Sequence, residues 1–410
     1  MAEPQKMRTR VLMLLENNDY SRDVRVRQEA KSLAAHGYHV DVICPGSRAG
    51  VEAVQDGIRV WRYRARFAGD GLFGYVLEYG YAMLASFALA VRIAVRYGFD
   101  VVHAHNPPDT FVFIGLVFKL LGKRFVFDHH DLSGELYRYA RFSGKPSGLV
   151  YRALLALEKL SCRAADHVIV TNESYRELAI ERSRVQPERI TVVRNGPELR
   201  ADESLAEPAA KPATRVIGYV GIMGRQDGVD LLIRAAACLR RDGVQDFHVV
   251  LVGSGDAMDD LRELACQLDL EGVISFVGWV DPEGLAAYLR SFDVCVAPEP
   301  PNGYTELCTM IKVMEYMAFS KPVVAFDLLE HRRTAGSAAL YAETSEPEAL
   351  AERIKELLDD PELRAELGRR GRRRVEAELA WEYQERALLH AYSKLRSGRR
   401  LQGGRLVAEG

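Results

Sequence analysis

RVIGYVG (215–221), DFHVVLVG (246–253), VISFVG (273–278), FDVCVAP (292–298) and KPVVAF (321–326) are strand-length apolar runs separated by helical stretches. A run that is apolar throughout, rather than alternately, is buried on both faces. It therefore predicts parallel strands with helices on either side. The same rhythm occurs upstream in RVLMLLE (10–16), YHVDVIC (38–44), DVVHAH (100–105), RFVFDHH (124–130) and DHVIVTN (166–172). The helical pattern RVRQEAKSLAAHG (25–37) closes on a glycine, as helix ends commonly do. PELRADESLAEPAAKPATR (197–215), rich in Pro, Ala and charge, divides the two series. The chain thus reads as α/β, with two doubly wound, Rossmann-like domains in tandem. The expected boundaries are a first domain at 1–196, a linker at 197–213 and a second domain at 214–378. Helices at 379–396 are expected to pack back on the first domain, followed by a disordered tail at 397–410.

Composition narrows the function. The 410 residues are 48% hydrophobic and 27% charged, with net charge −2, which excludes wholesale disorder. The balance lacks the basic excess of a nucleic-acid-binding protein, so no nucleic-acid partner is expected. Six cysteines (44, 162, 238, 266, 295, 308) include no Cys-x-x-Cys and predict buried thiols in a reducing, cytoplasmic setting. MAEPQKMRTR is too polar for a signal peptide. Tyr79 to Val91 is uncharged for 13 residues, short of the roughly 20 that span a bilayer. It reads as a core helix, the alternative being a helix that rests on a membrane. The arginines at 369, 370 and 372–374 are interleaved with glutamates and read as a solvated helix face.

In doubly wound sheets, ligands bind beyond the carboxyl ends of the strands. His103, His105 and Asn106 end one strand, Asp128 to Asp131 another, and Gly221 and Gly253 two more. In YTELCTMIKVMEYMAFSKPVVAFD (304–327), Lys312 and Glu315 are three apart and share a helix face. A surface ion pair is the ordinary meaning of that spacing. Here the helix is otherwise apolar, so both charges need partners. A metal is a poor reading of DHHD (128–131), because neighbours in a strand point to opposite faces. No metal site is expected.

EYMAFSKPVVAFD, RVIGYVGIMGRQDGVDLLIRAA, VLVGSGDAMDDLREL and VISFVGWVDPEGLAAYLRSFDVCVAPE together resemble the C-terminal half of GT-B glycosyltransferases of family 4. NDYSRDVRVRQEAKSLAAHGYHVDVICPG, DVVHAHNPPD, FVFDHHDL and VTNESYRELAIERSRVQPERITVVRNGPEL resemble the N-terminal half. The resemblance covers residues 8–390. It implies two domains facing across a cleft, with the acceptor on the first and a nucleotide-diphosphate sugar on the second. It also implies transfer to an acceptor hydroxyl with retention, metal-independent, of a hexosyl or N-acetylhexosaminyl group. Glu315 would hold the ribose hydroxyls and Lys312 the departing phosphate. Gly221, Gly224, Arg225 and Gly253 would approach the diphosphate, and Trp279 and Val280 the base. His130 matches the family's active-site histidine, and Asn195–Gly196 its hinge. No cofactor is implied beyond the donor, with a UDP-sugar favoured over a GDP- or dTDP-sugar. The acceptor would be a glycan, a lipid-linked glycan or a small molecule.

The chain departs from the family pattern in three places. In Glu-x7-Glu the first position is Leu307, with Glu306 one residue away. Ile222 and Asp227 stand where an Arg and a Lys are usual. NDYSRDVR (18–25) replaces a Gly-Gly loop, and its Asp23 and Arg25 read equally as substrate contacts or as a helix cap. Two alternatives therefore stand beside transfer: an epimerase on the same fold and a non-catalytic binding subunit. Tyr137, Arg138, Tyr139, Arg141, Phe142, Lys145, Tyr151 and Arg152 suggest peripheral contact with an anionic membrane, at its inner face, or else an exposed lid.

Overall fold

A computed structural model describes residues 9–54, 57–65, 71–139, 147–199, 207–211 and 213–402. Arg141, Phe142, Lys145 and part of the expected linker lie outside the described residues. The chain forms two compact units. One comprises Met1–Arg138, Phe142–Arg194 and Gln384–Gly410; the other comprises Tyr139–Arg141 and Asn195–Tyr383.

The first unit is built on β1 (Arg10–Leu14), β2 (His39–Gly46), β3 (Gly50–Val54), β4 (Ile58–Arg64), β5 (Val101–His105), β6 (Arg124–His129), β7 (His167–Val170) and β8 (Ile190–Val192). Their order in the sheet is β3-β4-β2-β1-β5-β6-β7-β8, parallel except for β3. Helices α1 (Val24–Ala35), α2 (Gly71–Arg96), α3 (Val112–Leu120), α4 (Ser133–Tyr139), α5 (Gly148–Ala164) and α6 (Glu173–Glu181) fill the connections. The β1–α1–β2 crossover runs one way along the sheet, while β4–α2–β5 and β5–α3–β6 run the other. Right-handed connections therefore put α1 on one face and α2 and α3 on the opposite face.

The second unit carries β9 (Arg215–Val220), β10 (Phe247–Val252), β11 (Ile274–Gly278), β12 (Val294–Ala297), β13 (Val323–Phe326) and β14 (Ala339–Ala342). Their order is β11-β10-β9-β12-β13-β14, all parallel. Its helices are α7 (Val229–Arg241), α8 (Met258–Gln267), α9 (Pro282–Ser291), α10 (Ile311–Ala318), α11 (Leu329–Ala335), α12 (Pro347–Asp359) and α13 (Pro361–Arg374). Two apolar layers, one on each sheet face, contain Ile217, Leu232 and Ile354 on one side and Val216, Phe292 and Met317 on the other.

Helix α14 (Trp381–Gln402) ends the described chain. From Gln384 on it belongs to the first unit. There Glu385 accepts from Ser32 at 2.9 Å, the Tyr392 hydroxyl meets His103 Nδ1 at 2.9 Å, and Tyr392 packs edge-on to Tyr38. The helix reaches Gln402, into residues expected as a disordered tail. A pattern ending in polar residues and glycines gave no sign of that continuation.

The expectation for residues 79–91 needs correction. They sit in a 26-residue helix that is not a core helix. Ala82, Ser86, Ala90 and Ile93 form its buried stripe, at intervals of four, four and three. Leu84, Phe87, Val91 and Val95 on the other side are exposed, Leu84 at 73% and Val95 at 85%. Three of these four buried residues are small, which lets the helix lie close on the sheet and leaves most of its large apolar side chains outward.

Candidate active site

In the first unit, charged side chains gather on the sheet face beneath α1 and α14. Asp23 caps α1, its Oδ1 accepting from the Val26 amide at 2.8 Å, as the helix-cap reading expects. Arg25 turns inward, 6% exposed, and grips Asp128 with two bonds of 2.8 and 2.9 Å. Its third nitrogen donates to the Val193 carbonyl at 2.8 Å, and Glu29 lies 3.3 Å away. His105 Nε2 stands 3.1 Å from Glu29, and His103 Nε2 3.9 Å from the same carboxylate. The candidate ligand atoms of Glu29, His103, His105 and Asp128 all fall within 4.8 Å of one another, close enough for a metal. Arg25 already places a fixed positive charge on that carboxylate pair, an arrangement more suited to a buried ion network.

His130 follows the end of β6. Its Nδ1 lies 3.5 Å from Asp128 Oδ1, and its amide donates to Asn106 Oδ1 at 2.8 Å. Asn106 also receives the Asp131 amide at 3.1 Å and donates to Asp109 and to the Asp131 carbonyl, so one amide side chain fixes this turn. Burial opposes ionisation of Asp128, but Arg25 overrides it and holds the carboxyl well below its ordinary range. Burial alone would push the His130 imidazole down; the bond to Asp128 outweighs it and raises the pKa. His129, packed against Phe127 and Tyr175, is pushed by burial down to about 4.

In the second unit the strand ends are made of backbone. Gly221, Gly253 and Gly278 have φ of 148°, 130° and 84° and end β9, β10 and β11, three neighbours in the sheet. The Gly221 amide donates to Val252 O at 3.0 Å, and the Gly253 amide to Gly278 O at 2.8 Å. A Cβ on Gly253 would fall 1.9 Å from the Gly221 carbonyl oxygen, so only glycine fits. Beside this corner stands Lys312. A Cβ on Gly221 would meet its Cε at 2.9 Å and Nζ at 3.2 Å.

Lys312 is buried, and its ammonium donates to Glu299 and, at 3.1 Å, to the Tyr219 hydroxyl. It also lies 4.5 Å from the centre of the Tyr219 ring. Glu299 is thus the carboxylate that compensates this buried cation. Burial would lower the Lys312 pKa; Glu299 more than reverses this, so the amine stays charged. The second Glu299 oxygen lies 3.7 Å from His331 Nε2, and His331 Nδ1 lies 3.0 Å from the Phe326 carbonyl. Glu315, one turn along α10 from Lys312, is half-buried.

The other expected ligands have differing settings. Gly224 begins a single 3₁₀ turn, Arg225–Asp227, and its amide donates to Asp227 Oδ2 at 3.0 Å. Burial pushes Asp227 up to about 6, against the pull of Lys312. Arg225 is exposed and lies 3.3 Å from Asp260, lining with it a shallow cavity of about 480 Å³. Trp279 is 77% exposed, while Val280 packs on the apolar layer. Glu306, one residue from the missing glutamate position, accepts the Leu329 amide at 3.0 Å at the start of α11.

Residues 23–196 match the family model for a glycosyl transferase 4-like domain, and residues 214–360 the model for glycosyl transferases group 1. The chain belongs to that glycosyltransferase family. Mycobacterium tuberculosis glycogen synthase is 25% identical over 400 residues, covering 93% of this chain and 92% of the relative. D-inositol 3-phosphate glycosyltransferase of Kineococcus radiotolerans is 27% identical over 421 residues, covering 93% and 92%. Sucrose-phosphate synthase from Thermosynechococcus elongatus superposes with a TM-score of 0.76 at 24% identity, covering 95% of this chain and all of the other. At that identity the likeness concerns the fold, which is GT-B.

Sequence reasoning on this glycosyltransferase missed Glu299, Tyr219 and His331. Glu299 had a signal: a carboxylate two residues past the apolar run VCVA, at the edge of the sheet where ligands bind. Tyr219 and His331 looked like ordinary strand and helix residues. Only the fold brings them to Lys312.

Proposed function

We propose that this glycosyltransferase moves a sugar from a nucleotide-diphosphate sugar, a UDP-sugar before a GDP- or dTDP-sugar, to an acceptor hydroxyl. The corner at Gly221 carries the reading. Three strands end there in glycine, and the Lys312 ammonium lies against the backbone. A diphosphate needs close backbone approach and fixed positive charge, and both occur at the carboxyl edge of one sheet. Support for uridine comes from Anabaena HepE, solved with UDP-glucose and sharing the fold at a TM-score of 0.68 and 17% identity, over 94% of this chain and 99% of that one.

In this reading Glu315 accepts both ribose hydroxyls, since one carboxylate serves a diol. Gly221, Gly224 and Gly253 line the diphosphate, Arg225 sits at its margin, and Trp279 and Val280 border the base. The bond from the anomeric carbon to phosphate breaks and a nucleoside diphosphate departs. The acceptor oxygen bonds to that carbon, and its proton passes to a phosphate oxygen. Attack on the same face gives retention, as the family resemblance implies. Lys312 stabilises the charge that develops on the leaving group, a role several kcal/mol strong in preorganised sites. The chain contains no Asp-x-Asp, the usual cation clamp of metal-dependent transferases, so the transfer is metal-independent. In the first unit His130, its pKa raised by Asp128, contacts the acceptor.

Thermal shift against UDP-, GDP- and dTDP-sugars tests the donor. The UDP-sugar is expected to raise the Tm most, by mass action on the folded state. A larger shift with another base would overturn the uridine assignment. Turnover is expected to survive EDTA, and loss restored by manganese would refute the role given to Lys312.

A further inference from the structure

None of the residues assigned above to donor or acceptor lies on the outward face of α2 and α3. Every exposed position from Leu77 through Val91 on α2 is Leu, Gly, Phe, Ala or Val: Leu77, Gly80, Leu84, Phe87, Ala88 and Val91. On α3, Phe113 (46% exposed), Val117, Leu120 (89%) and Leu121 point outward in the same manner. The two helices lie on the same sheet face, and Phe87 of α2 meets Phe118 of α3 with ring centres 6.4 Å apart. They form one apolar face. Leu77–Arg96 is long and apolar enough to cross a membrane by length and composition, yet only 22% of it is buried. Its stripe of Ala82, Ser86, Ala90 and Ile93 is already committed to the sheet, so it can lie on a bilayer but not thread it. Exposed apolar faces of this extent mark interaction sites.

Charge selects the occupant. Helices α2 and α3 both end at the amino edge of the sheet, before β5 and β6, and three cations collect there. Arg92 and Arg96 are exposed and Lys123 is half-buried. Their charges rest on Trp61, Tyr97 and Phe99 at 5.9, 5.4 and 5.8 Å, with no carboxylate partner among the described residues. A second copy docked through this face would have to meet those cations with carboxylates. The exposed positions from Leu77 to Arg96 include none. Lys119, the other cation of α3, is already satisfied by the Ala164 carbonyl and Asp166.

We propose that this face docks the protein on an anionic lipid surface, with Leu84, Phe87, Val91, Phe113 and Leu120 entering the interface and Arg92, Arg96 and Lys123 reading lipid charge. Basic residues at a membrane surface each strengthen binding roughly fivefold. The proposal is independent of the donor assignment.

The test is co-sedimentation of the full chain with vesicles of phosphatidylcholine alone and of phosphatidylcholine with 30% phosphatidylglycerol, a test composition of roughly physiological charge. Binding is expected to the anionic vesicles and to weaken as salt rises. Arg92→Gln with Arg96→Gln is expected to cut it by at least about tenfold. Phe87→Glu with Val91→Glu is expected to abolish it while the Tm stays near that of the wild type, showing that the fold survives. Absence of binding to both vesicles, or binding indifferent to both pairs of substitutions, would overturn the proposal. So would a dimer in sedimentation velocity that Phe87→Glu with Val91→Glu converts to monomer, which would assign the face to a second copy.

Discussion

Each unit gathers buried charge where parallel strands end, but the two gatherings are opposite in construction. The first is closed. Arg25 is held by Asp128, Glu29 and a carbonyl, and two histidines fill the remaining space. The second is built of backbone, with glycines where any side chain would clash and Lys312 held by one carboxylate and one hydroxyl. A closed network holds a turn in place, and here it presents His130. Under the proposed function, this corner, with Lys312 beside it, receives the anion. Under that reading, one chain uses the same strand-end geometry once to hold the His130 turn and once to receive a phosphate.

Removing the central cation of each cluster sharpens this contrast. Arg25→Met leaves Asp128 and Glu29 buried without compensation and is expected to cost about 3–5 kcal/mol, read from the urea midpoint. If the midpoint hardly moves, the first cluster is not the closed network described. Lys312→Met is expected to cut kcat by about 10²–10³ while a nucleoside monophosphate still binds. Because it strands Glu299, the double change Lys312→Met with Glu299→Gln is the control: stability should return and kcat should not. Recovery of turnover in the double variant would reduce Lys312 to a structural cation.

His130→Ala is expected to lower turnover about 10²-fold, in the range of losing one preorganised hydrogen-bond donor, with UDP affinity unchanged. Its pH signature follows from the raised pKa. The stabilisation from His130 is fully present below its unfolded value and is lost as pH rises through the folded one. The stability gap between wild type and His130→Ala should therefore be wider at pH 5.5 than at pH 8.5. A gap independent of pH would mean that Asp128 does not hold the imidazolium.

Asp227 gives the smallest effect. Its carboxyl titrates near 6, so its ionised form costs stability above that pH, and the cost is relieved as pH falls toward 4. UDP affinity is expected to rise a few-fold from pH 7.5 to 5.5 as the negative charge beside the glycine corner disappears. At pH 7.5 Asp227→Asn should bind UDP a few-fold more tightly than wild type does. An unchanged pH profile in that variant would place Asp227 away from the phosphates.

The alternation of apolar runs and helices made both sheets readable, because a strand buried on both faces is apolar without interruption. Three strands toward the sheet edges were less visible. β3 and β4 carry Glu52, Arg59 and Arg62 among their apolar residues and β14 is four residues long, so none stands out as a continuous run. α2 misled because absence of charge was taken for burial. The side chains that pack are mostly its small ones, and no composition argument separates a helix buried all round from one with an apolar outer face. Lys312 and Glu315 were legible as a pair of charges on an apolar helix. The partner of Lys312 was not, since Glu299 lies thirteen residues earlier on another element and only the order β9-β12-β13 brings it close.

The central claim is that the second unit alone holds the nucleotide, anchored at Glu315. Titration calorimetry of UDP against wild type and Glu315→Ala tests it most directly. Losing two charge-assisted hydrogen bonds, each worth about 1.5–3 kcal/mol, is expected to weaken UDP binding at least 100-fold in a variant that keeps its Tm. Equal affinity in the two proteins would contradict the account.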